Sequence, residues 1–321
     1  MLASNFSAAK KAEGLLKYVK NRVTGWPRLI NLEVTKYCNA RCSFCPCWTI
    51  KGHPQLDDYS PIMKKFRPIV LSLNGGEPLI RRDFVDIVRQ VRPYVTYLSM
   101  ITHGQLLTVD KFKELIEAGI NQVTISLNYL NDRHDQERGI KDLFQHIATI
   151  APQITALGYN NLAFNTVITS KNLDQLIPIV KQAHQWGVKV NFSSYSEGKN
   201  NVPDYNVACE QEYELNQVLE ELIVLRKELG NILSTEYYLR NIPRYFRDHK
   251  IDGCLAGHRF IQMTPDGYIK RCSETDVFCH WTEYDPGLLE KPNPCNICWL
   301  ACRGETESPL TPKRVWEFIK K

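Results

Sequence analysis

No run of 18 consecutive apolar residues occurs in the chain, which argues against a helix crossing a bilayer. The opening stretch, Met-Leu-Ala-Ser-Asn-Phe-Ser-Ala-Ala-Lys-Lys, lacks an apolar core of signal-peptide length, so export is not expected. Blocks of like charge are missing too. The 40 Lys and Arg are spread among 35 Asp and Glu, and the net charge of +5 does not by itself argue for nucleic acid. Neither a basic, aromatic-bearing appendage nor a repeat nor a low-complexity tract stands out. An anionic substrate or surface stays open. What is present, 43% hydrophobic and 23% charged residues over 321 positions, describes a globular protein with room for one large α/β domain and a smaller one.

Cysteine is the exception to these absences. Eleven are present, clustered at short spacings in a chain without an export signal. That pattern favours metal ligation in a reducing compartment over disulfides, and a cytoplasmic location is expected. The central set is Cys38-Asn-Ala-Arg-Cys42-Ser-Phe-Cys45, directly after the extended run Leu29–Thr35. Thiolates at these intervals on a short loop can converge on one metal site. Three of them leave one position of a four-iron cluster open; the competing reading is half of a zinc site whose fourth ligand lies elsewhere. Cys47 reads as a bystander.

This spacing, with Phe44 before the third cysteine and a strand ahead of the first, resembles the radical S-adenosylmethionine (SAM) enzyme superfamily. The resemblance implies that Cys38, Cys42 and Cys45 hold a [4Fe-4S] cluster whose fourth iron chelates SAM. One electron from the cluster would then release a 5′-deoxyadenosyl radical that takes a hydrogen atom from substrate. It further implies a SAM-amino-group motif at Gly75, Gly76, Glu77 and Pro78, after the apolar strand Ile69–Leu73. A glycine pair at a strand end would let a ligand approach the backbone closely. Thr102 ends the third strand, followed by His103-Gly104 where the family commonly has Asn-Gly. Ser126 would face the SAM ribose or carboxylate, with Asn128 in place of the usual Asp. Arg138 matches an arginine that clamps the SAM carboxylate, a task suited to a guanidinium fork; otherwise it is a solvated charge at a helix start. Asn165 and Phe192 stand at cofactor-facing positions on the fifth and sixth strands by the same resemblance.

The chain divides into a helical lead-in (1–27), an α/β region (28–200), a helical connector (201–250) and a cysteine-rich segment (251–321). In the lead-in, Leu15, Leu16, Tyr18, Val19 and Val23 form a stripe at helical spacing. Such a stripe is expected to dock on the domain, with a membrane-surface role as the lesser reading. Strands are expected at Leu29–Val34, Ile69–Leu73, Val95–Ile101, Gln122–Leu127, Asn161–Ile168 and Val188–Ser193. Helices between them include Phe84–Val91, capped by Asp83, and Lys111–Ala118, with Thr108 near its start; Pro178 should kink or delay the fifth. Six strands with helical crossovers predict an all-parallel sheet. They are too few for a closed eight-unit barrel and match the partial (β/α)6 TIM-like barrel of the family resembled.

Downstream, Arg259–Lys270 reads as a hairpin about Pro265-Asp266-Gly267. It would bring Cys254 near Cys272, and Cys295-x2-Cys298 would complete a set of four thiolates. By chemistry alone that set could be a zinc ribbon. In company with the first motif it resembles the auxiliary-cluster modules called SPASM and twitch, which implies one auxiliary [4Fe-4S] cluster on Cys254, Cys272, Cys295 and Cys298. Cys279 and Cys302 are alternates, and Cys209 looks like an ordinary helix-start thiol. The reaction implied is oxidation or cross-linking of a small-molecule or peptide substrate. A flavodoxin- or ferredoxin-type electron donor is implied and no nucleic acid. Adenosyl addition, and a non-enzymatic iron–sulfur or zinc protein, are the alternatives. No catalytic acid or base is assigned.

Overall fold

The structure, a computed structural model, describes residues 8–199, 202–289, 293–309 and 311. The first seven residues of the lead-in and most of the chain beyond 309 lie outside this set. Helix α1 (Ala8–Thr24) leads into β1 (Leu29–Thr35). Then follow α2 (Ser60–Phe66), β2 (Val70–Gly75), α3 (Phe84–Val91), β3 (Tyr97–Thr102), α4 (Val109–Ala118) and β4 (Gln122–Ser126). The region continues through α5 (Arg133–Arg138), α6 (Leu143–Ala156), β5 (Leu162–Ile168), α7 (Leu173–Gln185) and β6 (Lys189–Ser194). Two helices, α8 (Glu212–Glu228) and α9 (Glu236–Asp248), precede β7 (Phe260–Met263), β8 (Tyr268–Lys270), β9 (Val277–His280) and α10 (Ala301–Glu307).

Local chemistry accounts for most boundaries. Thr108 caps α4 by accepting from Lys111 N at 3.1 Å. Asp83 precedes α3 but makes no capping bond; its carboxylate is drawn to Arg81 instead, whose Nη1 donates to Val34 O at 2.8 Å. Pro178 does not delay α7, which starts at Leu173 and runs through the proline. Burial of Leu173, Leu176, Ile179, Val180 and Ala183 outweighs one lost helical hydrogen bond.

The sheet order is β6-β5-β4-β3-β2-β1-β7-β8-β9, and the sheet does not close. Its first six strands are parallel, as expected. The cysteine-rich segment, however, continues the same sheet. β7 pairs in parallel with β1 (Leu29↔Phe260 to Leu32↔Met263), and β8 and β9 follow antiparallel. Without β7 the outer edge of β1 would present unpaired amides and carbonyls.

Side chains alternate across the strands. Ile30, Leu32, Leu71, Leu73, Leu98, Met100, Val123 and Ile125 are fully buried in the main hydrophobic core. The opposite parity is polar: Gln262, Asn31, Ser72, Ser99 and Gln122 lie side by side in register across five strands. That row shares one face of the sheet.

The lead-in helix departs from expectation. Its apolar stripe faces solvent, with Leu15, Leu16, Val19 and Val23 between 55% and 83% exposed. Its docked side is the small and polar one. Lys17 Nζ donates to Thr96 Oγ1 (3.1 Å), Asn21 Nδ2 to Pro27 O (3.2 Å), and the Arg28 guanidinium lies 4.7 Å over the Tyr18 ring. These polar contacts orient the helix more strongly than four aliphatic side chains do. No helix among the described residues is long and apolar enough to cross a membrane.

Candidate active site

The loop after β1 carries Cys38, Cys42 and Cys45, which lie within electrostatic range of one another. Cys45 N donates to Cys42 O (3.2 Å), Trp48 Nε1 to the same carbonyl (3.3 Å), and Arg41 N to Arg138 O (2.7 Å). The loop is thereby fixed to the end of α5. Burial pushes the Cys38 thiol up to about 11 and raises Cys42 as well. Such thiols stay protonated until a cation displaces their protons, as a metal centre does.

Gly75 and Gly76 sit where expected, at the carboxyl end of β2, but for another reason. A Cβ on Gly76 would strike Tyr37 O and lie 2.7 Å from Lys36 O; one on Gly75 would strike Thr35 O, at φ 141°. The backbone that approaches them is the chain's own cysteine loop, held by Gly76 N→Thr35 O (2.8 Å) and Glu77 N→Tyr37 O (2.7 Å). Glu77 is fully buried and already served by protein donors: Leu79 N (3.0 Å), Thr102 Oγ1 (2.7 Å) and His103 N (2.9 Å). Thr102 and Glu77 thus tie the β2 and β3 turns together. Pro78 follows in a short 3-10 turn capped by Glu77. His103 accepts from Gln105 N through Nδ1 (3.1 Å), so its Nε2 proton points to Asn39 Oδ1 (2.9 Å).

The open valences lie on α5. Arg138 is buried, donates Nη1 to Cys42 Sγ at 3.6 Å and leaves Nε without a partner. Beside it Asn128 Nδ2 holds Glu137 Oε2 at 2.6 Å and the Tyr129 hydroxyl stands by the same carboxylate, whose Oε1 has no well-formed hydrogen bond; His134 faces the Ser126 backbone. A buried guanidinium nitrogen and a buried carboxylate oxygen, both unsatisfied next to three thiols, fit the carboxylate and ammonium of an amino-acid zwitterion. Asn128 is fully buried; its amide joins β4, α5 and β5 through Glu137 and Val167 N (3.1 Å). Ser126 pairs in register with Asn165, whose Oδ1 accepts from Asn191 Nδ2 at 3.1 Å. Phe192 has the opposite parity. It is fully buried in the apolar core, and its neighbours Asn191 and Ser193 carry the accessible face. Sequence reasoning passed over Glu137, His134, Asn31 and Asn191; the alternation in Leu29-Ile-Asn-Leu-Glu was the available signal for Asn31.

The titrations here oppose one another. Burial raises Glu77 to about 7, so between the ordinary carboxylate value and 7 the folded chain holds a proton that the unfolded chain releases. On that account stability falls as pH rises through the window. Burial, followed by Arg138, lowers His103 to about 3 and also pushes His134 down, so the unfolded chain binds protons there that the folded chain refuses. Stability on their account falls as pH drops below the ordinary imidazole value. Glu77→Gln removes the offsetting group, so its melting temperature should drop more steeply than wild type on acidification from about pH 6.5 to 5. Parallel slopes in thermal unfolding across that range would refute this.

At the far side of the sheet five thiols converge. Cys254 and Cys272 are buried with Phe260, against Leu29, Cys295 and Cys302. Cys298 lies within electrostatic range of Cys254 and Cys272, and the half-buried Cys302 of all three. Burial raises every one of these four, Cys254 to about 11 and Cys298 to about 12. Arg303, with no exposed surface, anchors the loop by donating to Cys298 O (2.7 Å), Ile251 O (2.5 Å) and Asp252 O (3.0 Å). Cys279 stands apart on β9, near Glu283 and Lys65. Among the described residues no three Cys, His, Asp or Glu are close enough to grip a single ion, so the fit here rests on donor type and convergence.

Comparison with known proteins follows the same lines. The sequence pattern described as "Radical SAM superfamily" matches residues 32–183. The AdoMet-dependent heme synthase of Methanosarcina barkeri is 30% identical over 92% of this chain and 83% of its own. A probable GTP 3′,8-cyclase of Sulfurisphaera tokodaii is 28% identical over 76% of this chain and 80% of its own. In fold the chain is similar to SuiB of Streptococcus suis, solved with bound S-adenosylmethionine. The TM-score is 0.65 at 16% identity, over 86% of this chain and 68% of SuiB. Identity of that extent with a SAM-dependent enzyme, across nearly the whole sequence, makes this protein a member of the radical SAM superfamily, and with membership come a [4Fe-4S] cluster and bound SAM.

Proposed function

We propose that the protein oxidises a hydrogen-bonding polar substrate inside the barrel, by hydrogen-atom abstraction at the SAM end and removal of an electron to an auxiliary [4Fe-4S] cluster at the other. The observation that carries this reading is the convergence of Cys254, Cys272, Cys295, Cys298 and Cys302 beside β1 and β7. Packing alone gives no reason to gather five thiols. Four of them, Cys254, Cys272, Cys298 and either Cys295 or Cys302, would hold the cluster. Once bound, the two clusters and SAM supply one-electron cleavage of a carbon–sulfur bond and a sink for the substrate's electron.

The chain's own residues do the rest. Arg138 and Glu137 orient the amino-acid end of SAM. Gln262, Asn31, Ser72 and Ser99 offer hydroxyls and amides to substrate between the two ends. Glu33, buried two residues on from Asn31 in β1, is paired with Lys36. The substrate gives up one hydrogen atom, then one electron and one proton, a net dehydrogenation or a bond formed with loss of hydrogen. A flavodoxin- or ferredoxin-type donor would supply the electron that begins the cycle. The relatives are named for heme synthesis, for a GTP cyclase and for a PqqA peptide cyclase, so similarity alone does not choose between small molecules and peptides; the neutral polar row favours a small polar molecule.

The test is anaerobic reconstitution with iron and sulfide. Wild type should hold about eight irons per chain, and Cys298→Ala about four with SAM still cleaved to 5′-deoxyadenosine. Cys279→Ala should keep the full complement. Eight irons retained in Cys298→Ala, or zinc bound in place of iron, would remove the auxiliary cluster.

A further inference from the structure

A cavity of about 520 Å³ opens between α1, the start of β1 and the loop ahead of β7. It lies at the amino ends of the strands, where Arg28 N and Leu29 N both donate to Arg259 O (2.9 and 3.2 Å). The SAM residues stand at the carboxyl ends. Its walls carry Arg22, Arg28, Arg259 and His258 and, among the described residues, neither Asp nor Glu. Among the described residues none of the three guanidiniums is in an ion pair. Arg259 donates Nη1 to Thr306 O (2.9 Å) and feels Glu307 only at longer range, while Arg28 lies over the Tyr18 ring. Burial lowers the Arg28 pKa; Tyr18 opposes the shift, while Arg259 and Arg22 beside it add to it. Tyr18 and Trp26 add flat apolar surface.

We propose that this cavity binds a small organic anion bearing a phosphate or clustered carboxylates. Three guanidinium forks around one space suit either group, and the volume is that of a small-molecule site. Part of the wall is Gly253, Cys254 and Leu255, so an occupant lies against the loop that presents a convergent thiol. The proposal stands whether or not those thiols hold a cluster.

The probes are pyrophosphate and propane-1,2,3-tricarboxylate, titrated calorimetrically at low salt into the reconstituted full chain. The expected result is one-site saturation by at least one probe. That affinity should fall by about tenfold or more in Arg22→Gln and in Arg28→Gln, with iron content and melting temperature kept. The probe that binds more tightly identifies the anionic group. Arg22 is exposed on α1, so its variant carries the test if Arg28→Gln folds poorly. No saturable binding of either probe, or equal affinity in wild type and variants, would overturn the proposal.

Discussion

Cys42→Ala is expected to abolish formation of 5′-deoxyadenosine from SAM and to lose about four irons, whatever else the chain retains. Among the three cysteines of its loop, Cys42 is the buried one and the hub of the local structure. Its carbonyl accepts from Cys45 N and Trp48 Nε1, and its sulfur takes the Arg138 guanidinium. The substitution keeps the backbone bonds and removes only the thiolate, so folding should survive while the chemistry does not. Cys47→Ala, two residues past the third ligand, should keep both iron and activity. Anaerobic iron counting beside chromatographic detection of 5′-deoxyadenosine separates these outcomes. Activity retained in Cys42→Ala would mean that the cluster is held elsewhere.

Gly76→Ala should be severely damaging for the addition of a single methyl group. The added carbon would overlap Tyr37 O and crowd Lys36 O, and both are backbone atoms that no rotamer change can move away. Relief requires separating the β2 turn from the cysteine loop, which breaks Gly76 N→Thr35 O and Glu77 N→Tyr37 O. A cost of about 4 kcal/mol, or a drop near 10 °C in melting temperature, is the scale for such strain with loss of buried hydrogen bonds. SAM cleavage should fall with it, because the same backbone contact positions Cys38. Gly158→Ala, with open space around the site, serves as the comparison: its cost is backbone strain alone. Equal melting temperatures for the two variants would refute the argument.

Much of this site was legible because its signals are covalent and local. The thiol spacing of Cys38, Cys42 and Cys45, the glycines closing β2 and the six parallel strands all depend on residues near one another in sequence. What could not be read depends on which face meets which neighbour. Phe192 lies one residue from the accessible parity of β6, and a shift of one residue exchanges the two faces of a strand. Glu77 could be placed on the β2 turn from sequence, but not its bonds to Thr102 and His103, which come from another strand end. Cys302 and Cys279 were equal candidates by spacing; only the packing of α10 against the sheet brings one in and leaves the other on β9. The lead-in helix was misjudged for a similar reason. Its periodicity marked an apolar face correctly, but polar bonds to Thr96 and Pro27 decided which face docks.

The pairing of β1 with β7 has a consequence for biosynthesis. Residues 29–32 find their second partner at residues 260–263, so one edge of the first strand made must wait for most of the chain to leave the ribosome. During that interval the nascent sheet of β1 to β6 can form while β1 offers a bare row of amides and carbonyls, the state most open to pairing between chains. A long-range contact of this kind also slows the last folding step. Crowded synthesis at high temperature should therefore reduce the soluble yield of this protein even where the finished fold is stable.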